Sequence, residues 1–329
     1  MGRKINAYRR GSLDRWTGRQ DLRSGLAQRW YQRIKTVDLS SDMGALLNTI
    51  VLLGFPCDQG VYRNQGRIGA KEGPDAIRAI LGNLPIHLET NFAVVDGGDV
   101  YCEDQDLEGA QMSLADAVEQ ICMHHGFPVL LGGGHEMTWG HYQGLRRVLS
   151  GAIGIINIDA HFDLRVPAEG KGSSGTGFFQ IAEHVQSMGE PFYYLALGIQ
   201  EMSNTADLFK EASARGVEVV LARDMQQTNQ QSAILERIQG FAARVDQLYL
   251  TIDLDAFASP YAPGVSAPAY NGIVPDGFLM HVLDTILKTP HLCAVDIAEL
   301  NPRFDQDNRT ARLAAELIYR TVAARSSMP

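Results

Sequence analysis

The chain has 329 residues, 45% of them hydrophobic and 20% charged, which supplies one large core and leaves no long stretch for disorder. A formal net charge of −9 argues against a nucleic-acid binder, because neutralising phosphates needs a basic face. Cys57, Cys102, Cys122 and Cys293 lie far apart, support neither a disulfide framework nor a zinc ribbon, and suit a reducing, cytoplasmic compartment.

Residues 1–35 hold ten Lys or Arg against two aspartates, Asp14 and Asp21. No continuous apolar run accompanies them, so they do not read as a secretory signal, and no stretch of the chain approaches a membrane span. Residues 1–40 are read as a basic surface extension and 41–329 as a single catalytic domain, since no Pro/Ser-rich linker divides them. Beyond the extension, short apolar runs with β-branched residues alternate with longer amphipathic stretches. Strands are expected near 49–53, 92–95, 128–131, 153–158, 192–197, 217–221, 248–252 and 293–297. Pro74 opens a helix, and 113–122 and 139–149 carry helical spacing. The pattern predicts an α/β fold, a three-layer α/β/α sandwich around a mostly parallel sheet of about eight strands, with ligands gathered beyond the strands' carboxyl ends.

Three strand ends carry chemistry. Residues 129–136, Val-Leu-Leu-Gly-Gly-Gly-His-Glu, read as a strand whose glycines permit a tight turn and deliver His135 to its edge. A phosphate loop would need Lys-Ser/Thr after the glycines, and a zinc-protease helix would need a second histidine where Trp139 stands. The run 153–158 leads directly into Asp159-Ala-His161-Phe-Asp163. In extended backbone, residues two apart point the same way, so three ligand-type side chains converge. Each alone would be a cap or a satisfied polar group; together they would strand charge in the interior unless a cation neutralised it. The run 248–252 ends in Asp253 and Asp255, which taken alone fit a helix cap or turn as well as a metal site.

Collected, the candidate metal ligands are His135, Asp159, His161, Asp163, Asp253 and Asp255. Imidazole and carboxylate donors without thiolate suit manganese better than structural zinc, and four negative charges balance two divalent cations. Two such ions about 3.5–4 Å apart lower the pKa of a bridging water toward neutrality, so the expected reaction is a hydrolysis.

The blocks Gly-Gly-Gly-His-Glu at 132–136, Asn-Ile-Asp-Ala-His-Phe-Asp at 157–163, Thr-Ile-Asp-Leu-Asp at 251–255, Pro-Gly-Val-Ser-Ala-Pro at 263–268 and Asp-Ile-Ala-Glu-Leu-Asn-Pro at 296–302 resemble the signature segments of the arginase/agmatinase superfamily. They occur in the same order and cover most of residues 50–325. The resemblance implies an arginase-like fold, the six ligands above, two manganese ions per subunit and a homo-oligomer acting on a small molecule. It also implies that Glu299 faces the cationic amidine or guanidine of the substrate. Asp163 is the expected acid–base group, taking a proton from the nucleophile and passing it to the leaving amine.

Arginases carry Ser-Gly-Asn and then a proton-shuttling histidine in the loop that aligns with 173–180; here Thr176 and Phe178 occupy those positions. This loop, the Asp163-Leu-Arg165 continuation and the segment 57–67 resemble the branch that hydrolyses N-formimidoyl-L-glutamate, except that Gly177 replaces a proline. That substrate is a dianion and calls for cationic clamps. Arg63, Arg67 and Arg165, with Asn64, Ser174 and Thr176, form the expected substrate-binding set, and Arg165, two residues from a ligand, is the first choice. Singly, each arginine fits a structural ion pair equally well. The competing readings are another ureohydrolase acting on agmatine or a guanidino acid, a single-zinc deacylase, and a non-catalytic metal-binding protein.

Overall fold

A computed structural model describes residues 5–20, 27–41, 43–87 and 92–327. The body consists of the strands β1 (Thr49–Phe55), β2 (Ala93–Val100), β3 (Phe127–Gly132), β4 (Ile153–Ile158), β5 (Tyr194–Ile199), β6 (Glu218–Leu221), β7 (Gln247–Asp253) and β8 (Leu292–Ala298). Between and after them run the longer helices α1 (Gly73–Gly82), α2 (Leu107–Met123), α3 (Met137–Val148), α4 (Gly177–Ser187), α5 (Ala206–Ala214), α6 (Gln231–Ala242), α7 (Gly277–Leu287) and α8 (Arg309–Ser326). The strands pair in the order β2-β1-β3-β8-β7-β4-β5-β6, all parallel.

Each strand has two buried faces, which explains why the sequence shows continuous apolar runs rather than alternation. Every residue of β1, β4 and β5 is buried. Ile50 and Leu52 point into one core with α1, α6, α7 and α8, while Val51 and Leu53 point into the other with α2, α3, α4 and α5. These are the three layers expected. The helices begin earlier than their apolar spacing suggests where a cap supplies the start. For α2 the Asp106 carboxylate accepts the Gly109 N–H at 3.0 Å, one turn or more before the predicted 113–122.

Two departures from the sequence reading share one cause. Strand β2 continues past the expected 92–95 through Asp96-Gly-Gly-Asp99, a polar stretch that periodicity does not mark as strand. It is buried because Arg78, itself fully buried on α1, bonds Asp96 (3.0 Å), Asp99 (2.8 Å) and the Gly98 carbonyl (2.9 Å). The described part of residues 5–40, expected as a surface extension, docks onto the same carboxylates. Trp16 donates its indole N–H to Asp96 at 2.8 Å, and Arg15 pairs with Asp99. Trp16 and Trp30 are buried in the core, Tyr8–Arg9 pairs antiparallel with β2, and Lys35–Thr36 pairs parallel with it, bringing the sheet to ten strands. Among the described residues no helix is long and apolar enough to cross a membrane.

Removing one partner of a buried charge group leaves the others uncompensated, at a cost of about 3–5 kcal/mol. Arg78→Ala is therefore expected to lower stability by about that amount in urea unfolding. An unchanged midpoint would show that Asp96 and Asp99 are neutralised by other means.

Candidate metal centre

The sheet order places four strand ends side by side, β3, β8, β7 and β4, and each delivers part of one site. After β3 the chain turns through Gly133 and Gly134 to His135. Gly133 packs so closely on the Cys57 and Phe55 carbonyls that a side-chain carbon there would lie within 2.5 Å of both, which is why the turn needs glycine. Asp253 closes β7, Asp159 follows β4, and Glu299 follows β8.

The side chains form two groups that share one carboxylate: His135, Asp159, Asp163 and Asp253 in the first, Asp159, His161 and Asp255 in the second. His135 Nδ1 lies 2.9 Å from Asp163 Oδ2, 3.2 Å from Asp159 Oδ2 and 3.3 Å from Asp253 Oδ2. His161 Nδ1 lies 3.2 Å from Asp255 Oδ2 and 3.5 Å from Asp159 Oδ1. Asp159 thus turns one oxygen to each group. Strict alternation along an extended strand does not account for the cluster, since Asp163 has φ +49°. Glu299, at φ +70°, is likewise in the left-handed region. Such conformations cost about 1–3 kcal/mol each and persist where the surroundings impose them.

Backbone and amide donors hold the carboxylates in place. Asp159 accepts the His161 N–H (2.7 Å) and the Asn157 amide (3.0 Å), and Asp253 accepts the Asp255 N–H (2.8 Å). The loop is stapled from outside by Asn204, which accepts the Phe162 N–H at 3.1 Å and donates to the Ala160 carbonyl at 2.8 Å. Asn157, Thr251 and Asn204 escape a reading built on ligand types. The available signal for the first two is a polar residue inside an otherwise apolar buried strand.

Without a cation this arrangement is electrostatically unfavourable. Burial and then the Asp255 and Asp159 charges push Asp253 well above the usual carboxylate range. Burial and the Asp159 charge raise Asp163 to about 6. Burial and the Glu136 charge raise Glu299 to about 8. Burial would depress both imidazoles, but hydrogen bonds and charges from the surrounding aspartates override it and raise both well above their ordinary value. Metal-free, the cage collects protons where divalent cations would neutralise it. Asp255 Oδ1 is buried and without a hydrogen-bond partner among the described residues, as a ligand atom awaiting a metal would be. Two nitrogens and four carboxylates without a thiolate fit two hard or borderline cations such as manganese.

The cage floors a cavity of about 450 Å³ whose wall includes Arg63, Asn64, Arg67, Arg165, Ser174 and Ser266. Two of the three arginines are already engaged. Arg63 forms a two-pronged pair with Glu108 (2.6 and 3.1 Å) and donates to the Gly172 carbonyl, while Arg67 stacks on Phe304 at 4.1 Å and donates to the Pro263 carbonyl. Among the described residues the exposed Arg165 guanidinium makes no hydrogen bond or ion pair. It lies so close to Gly175 that a side-chain carbon there would sit 3.0 Å from Arg165 Cδ. Asn64 donates to Ser174 Oγ at 3.0 Å, tying two loops at the rim. Thr176, expected to touch substrate, is instead outside the cavity wall. Its hydroxyl accepts the Ser173 N–H at 2.8 Å and lies 3.0 Å from Gln180 Oε1, because a short polar side chain here closes the single turn 174–176 back onto Ser173. Phe178 is fully buried, edge-on to His135 with ring centroids 5.5 Å apart.

The arginase family model matches residues 48–323. A formimidoylglutamase of Aeromonas salmonicida is 45% identical over 307 residues, 92% of this chain and 95% of its own length. A formimidoylglutamase of Cupriavidus pinatubonensis is 46% identical over 314 residues, 93% of this chain and 96% of its own. The crystal structure of Trypanosoma cruzi formiminoglutamase with two Mn2+ is 27% identical, superimposes with a TM-score of 0.74 and covers 86% of this chain and 95% of that one. Bacillus subtilis formimidoylglutamase, at 20% identity, shares the fold with a TM-score of 0.82 over 94% of this chain and 95% of its own.

A carboxyl that titrates near 8 in the folded chain, against an ordinary 4.5, binds its proton more tightly when folded. Its contribution to stability is full below the lower value and is lost as pH rises through the higher. Metal-free Glu299→Gln is therefore expected to gain thermal stability relative to metal-free wild type as pH rises from about 5 to 8. A difference that does not change over that range would contradict the burial of a bare Glu299 oxygen.

Proposed function

The chain belongs to the arginase family, and from that premise we propose that it hydrolyses N-formimidoyl-L-glutamate to L-glutamate and formamide with two manganese ions in the cage. The observation that carries this reading is the polarity of the cavity. At its floor Glu299 is clamped through one oxygen by the His135 N–H at 2.8 Å, while its other oxygen is buried and, among the described residues, without a hydrogen-bond partner. In the same wall stands the uncommitted Arg165. One end suits a cationic amidine and the other suits carboxylate.

Bound manganese would supply a water acidified toward neutrality, and hence a nucleophile at ordinary pH. His135, Asp159, Asp163 and Asp253 would hold one ion and Asp159, His161 and Asp255 the other. Glu299 orients the amidinium, and binding that cation relieves the cost of its own buried charge. Arg165, with Asn64 and Ser174 beside it, anchors the glutamate carboxylates and keeps the formimidoyl carbon over the cage. Asp163 takes the proton released by the attacking water and hands it to the glutamate nitrogen as the carbon–nitrogen bond breaks, so the leaving group departs as a neutral amine. Phe178 offers no proton acceptor at the position where arginases carry a histidine, so this transfer falls to Asp163. The enzyme would work as a homo-oligomer in a reducing, cytoplasmic setting, consistent with four cysteines that carry no disulfide.

The deciding assay compares release of formamide and glutamate from formimidoylglutamate with release of urea from arginine and agmatine, all with manganese. Turnover is expected on the first substrate alone, and preference for a guanidine would refute the substrate assignment. Asp163→Asn should lose about 10²–10⁴-fold in kcat while keeping part of its substrate affinity. Turnover like that of wild type would refute the proton-transfer role. Losing a charge-assisted bond costs about 1.5–3 kcal/mol, so Arg165→Ala should lower kcat/KM about 10- to 100-fold, chiefly through KM. A change confined to kcat would place Arg165 elsewhere in the reaction.

A further inference from the structure

Behind the cage lies a second buried polar cluster that the chemistry above does not use. His141 on α3 sets its Nδ1 2.6 Å from Asp296 Oδ2, and the Tyr249 hydroxyl bonds the same oxygen. The His141 and Tyr249 rings meet edge-on at 4.7 Å. Thr251 lies two residues along β7 from Tyr249, on the same face, and directly opposite Asp296 in the β7–β8 register. Its hydroxyl faces that of Tyr249 on one side, and on the other its Oγ1 lies 2.8 Å from Nε2 of His135. All four residues are fully buried.

Carboxylates only accept, so the shared Asp296 oxygen sets the direction of the whole chain. Tyr249 must donate to it, which leaves the Tyr249 oxygen free to accept from Thr251. The Thr251 oxygen is then free to accept from His135 Nε2–H. The result keeps a proton on His135 Nε2 and leaves Nδ1, the atom that faces three carboxylates, as the nitrogen a cation would take. Fold stability does not explain the cluster. His141 Nε2 and Asp296 Oδ1 are buried without hydrogen-bond partners among the described residues, and an apolar replacement of similar volume is often as stable as such a group.

We infer that Thr251, Tyr249, Asp296 and His141 form a buried positioning chain that holds His135 in its ligating tautomer and sets the manganese affinity of the position His135 serves. The inference rests on manganese occupying the cage, and its test reads metal binding without substrate. Full-length protein stripped of metal is titrated with Mn2+, and unbound ion is counted by its EPR signal. Wild type should bind two ions per chain. Thr251→Val, which keeps the shape and removes the hydroxyl, should weaken one of the two about 10- to 100-fold and leave the other unchanged, and Thr251→Ser should restore it. Tyr249→Phe, a loss of a single oxygen, should weaken the same ion to a lesser degree and serves if the valine variant does not fold. Unaltered binding of both ions in Thr251→Val and Tyr249→Phe would overturn the inference. So would equal weakening of both ions, which marks general damage. A wild type that binds two ions yet hydrolyses no amidine would fail the functional proposal alone.

Discussion

Like charge crowded at one edge of the sheet is the constraint around which the molecule is organised. Four aspartates and Glu299 stand at the ends of three adjacent strands, β8, β7 and β4, all nearly removed from water. Burial raises Asp163, Asp253 and Glu299 and nearby like charges raise them further, so the metal-free fold tolerates the cluster only by holding protons there. Everything near the cage answers that problem. The N–H groups of His135, His161 and Asp255 and the amide of Asn157 each donate to one of the acidic side chains. Two residues accept left-handed backbone to bring their carboxylates in. Two divalent cations in the two converging groups would discharge the repulsion at a stroke.

The cavity above inherits its polarity from this floor. Among the described residues Glu299 has a buried, unmatched oxygen that would favour a cation, and Arg165 has no partner and would favour an anion. A substrate bearing both, with the scissile bond between them, would be held across the cage. The other two arginines of the wall are engaged with the protein itself. Arg63 joins the α2 residue Glu108 to the Gly172 carbonyl, and Arg67 locks the 263–265 loop against Phe304, so the walls on which Arg165, Asn64 and Ser174 stand are braced from behind.

What was legible in the sequence follows from the range of the interactions involved. Ligands at the ends of apolar runs are a local signal, because strand and ligand are adjacent in the chain, and the eight main strands and all six candidate ligands could be read that way. Commitments between distant residues could not. Arg63 and Glu108 are 45 residues apart, and nothing near either announces the pair. The strand through Asp96 and Asp99 was hidden because its polar residues are neutralised by Arg78, on a helix that precedes it. The same carboxylates draw in Trp16 and Arg15, which is why a segment of basic composition sends tryptophans into the core while its described arginines Arg9, Arg10, Arg19 and Arg33 stay at the surface. Thr176 is the opposite case: its contacts are purely local, a turn closure, while the resemblance points to substrate.

The most direct measurement is X-ray diffraction from crystals grown with manganese, collected on both sides of the manganese absorption edge. The account predicts two anomalous peaks about 3.5–4 Å apart, one bounded by His135, Asp163 and Asp253, the other by His161 and Asp255, with Asp159 reaching both. A fully active crystal with no peak in the cage, or with only one, would contradict it.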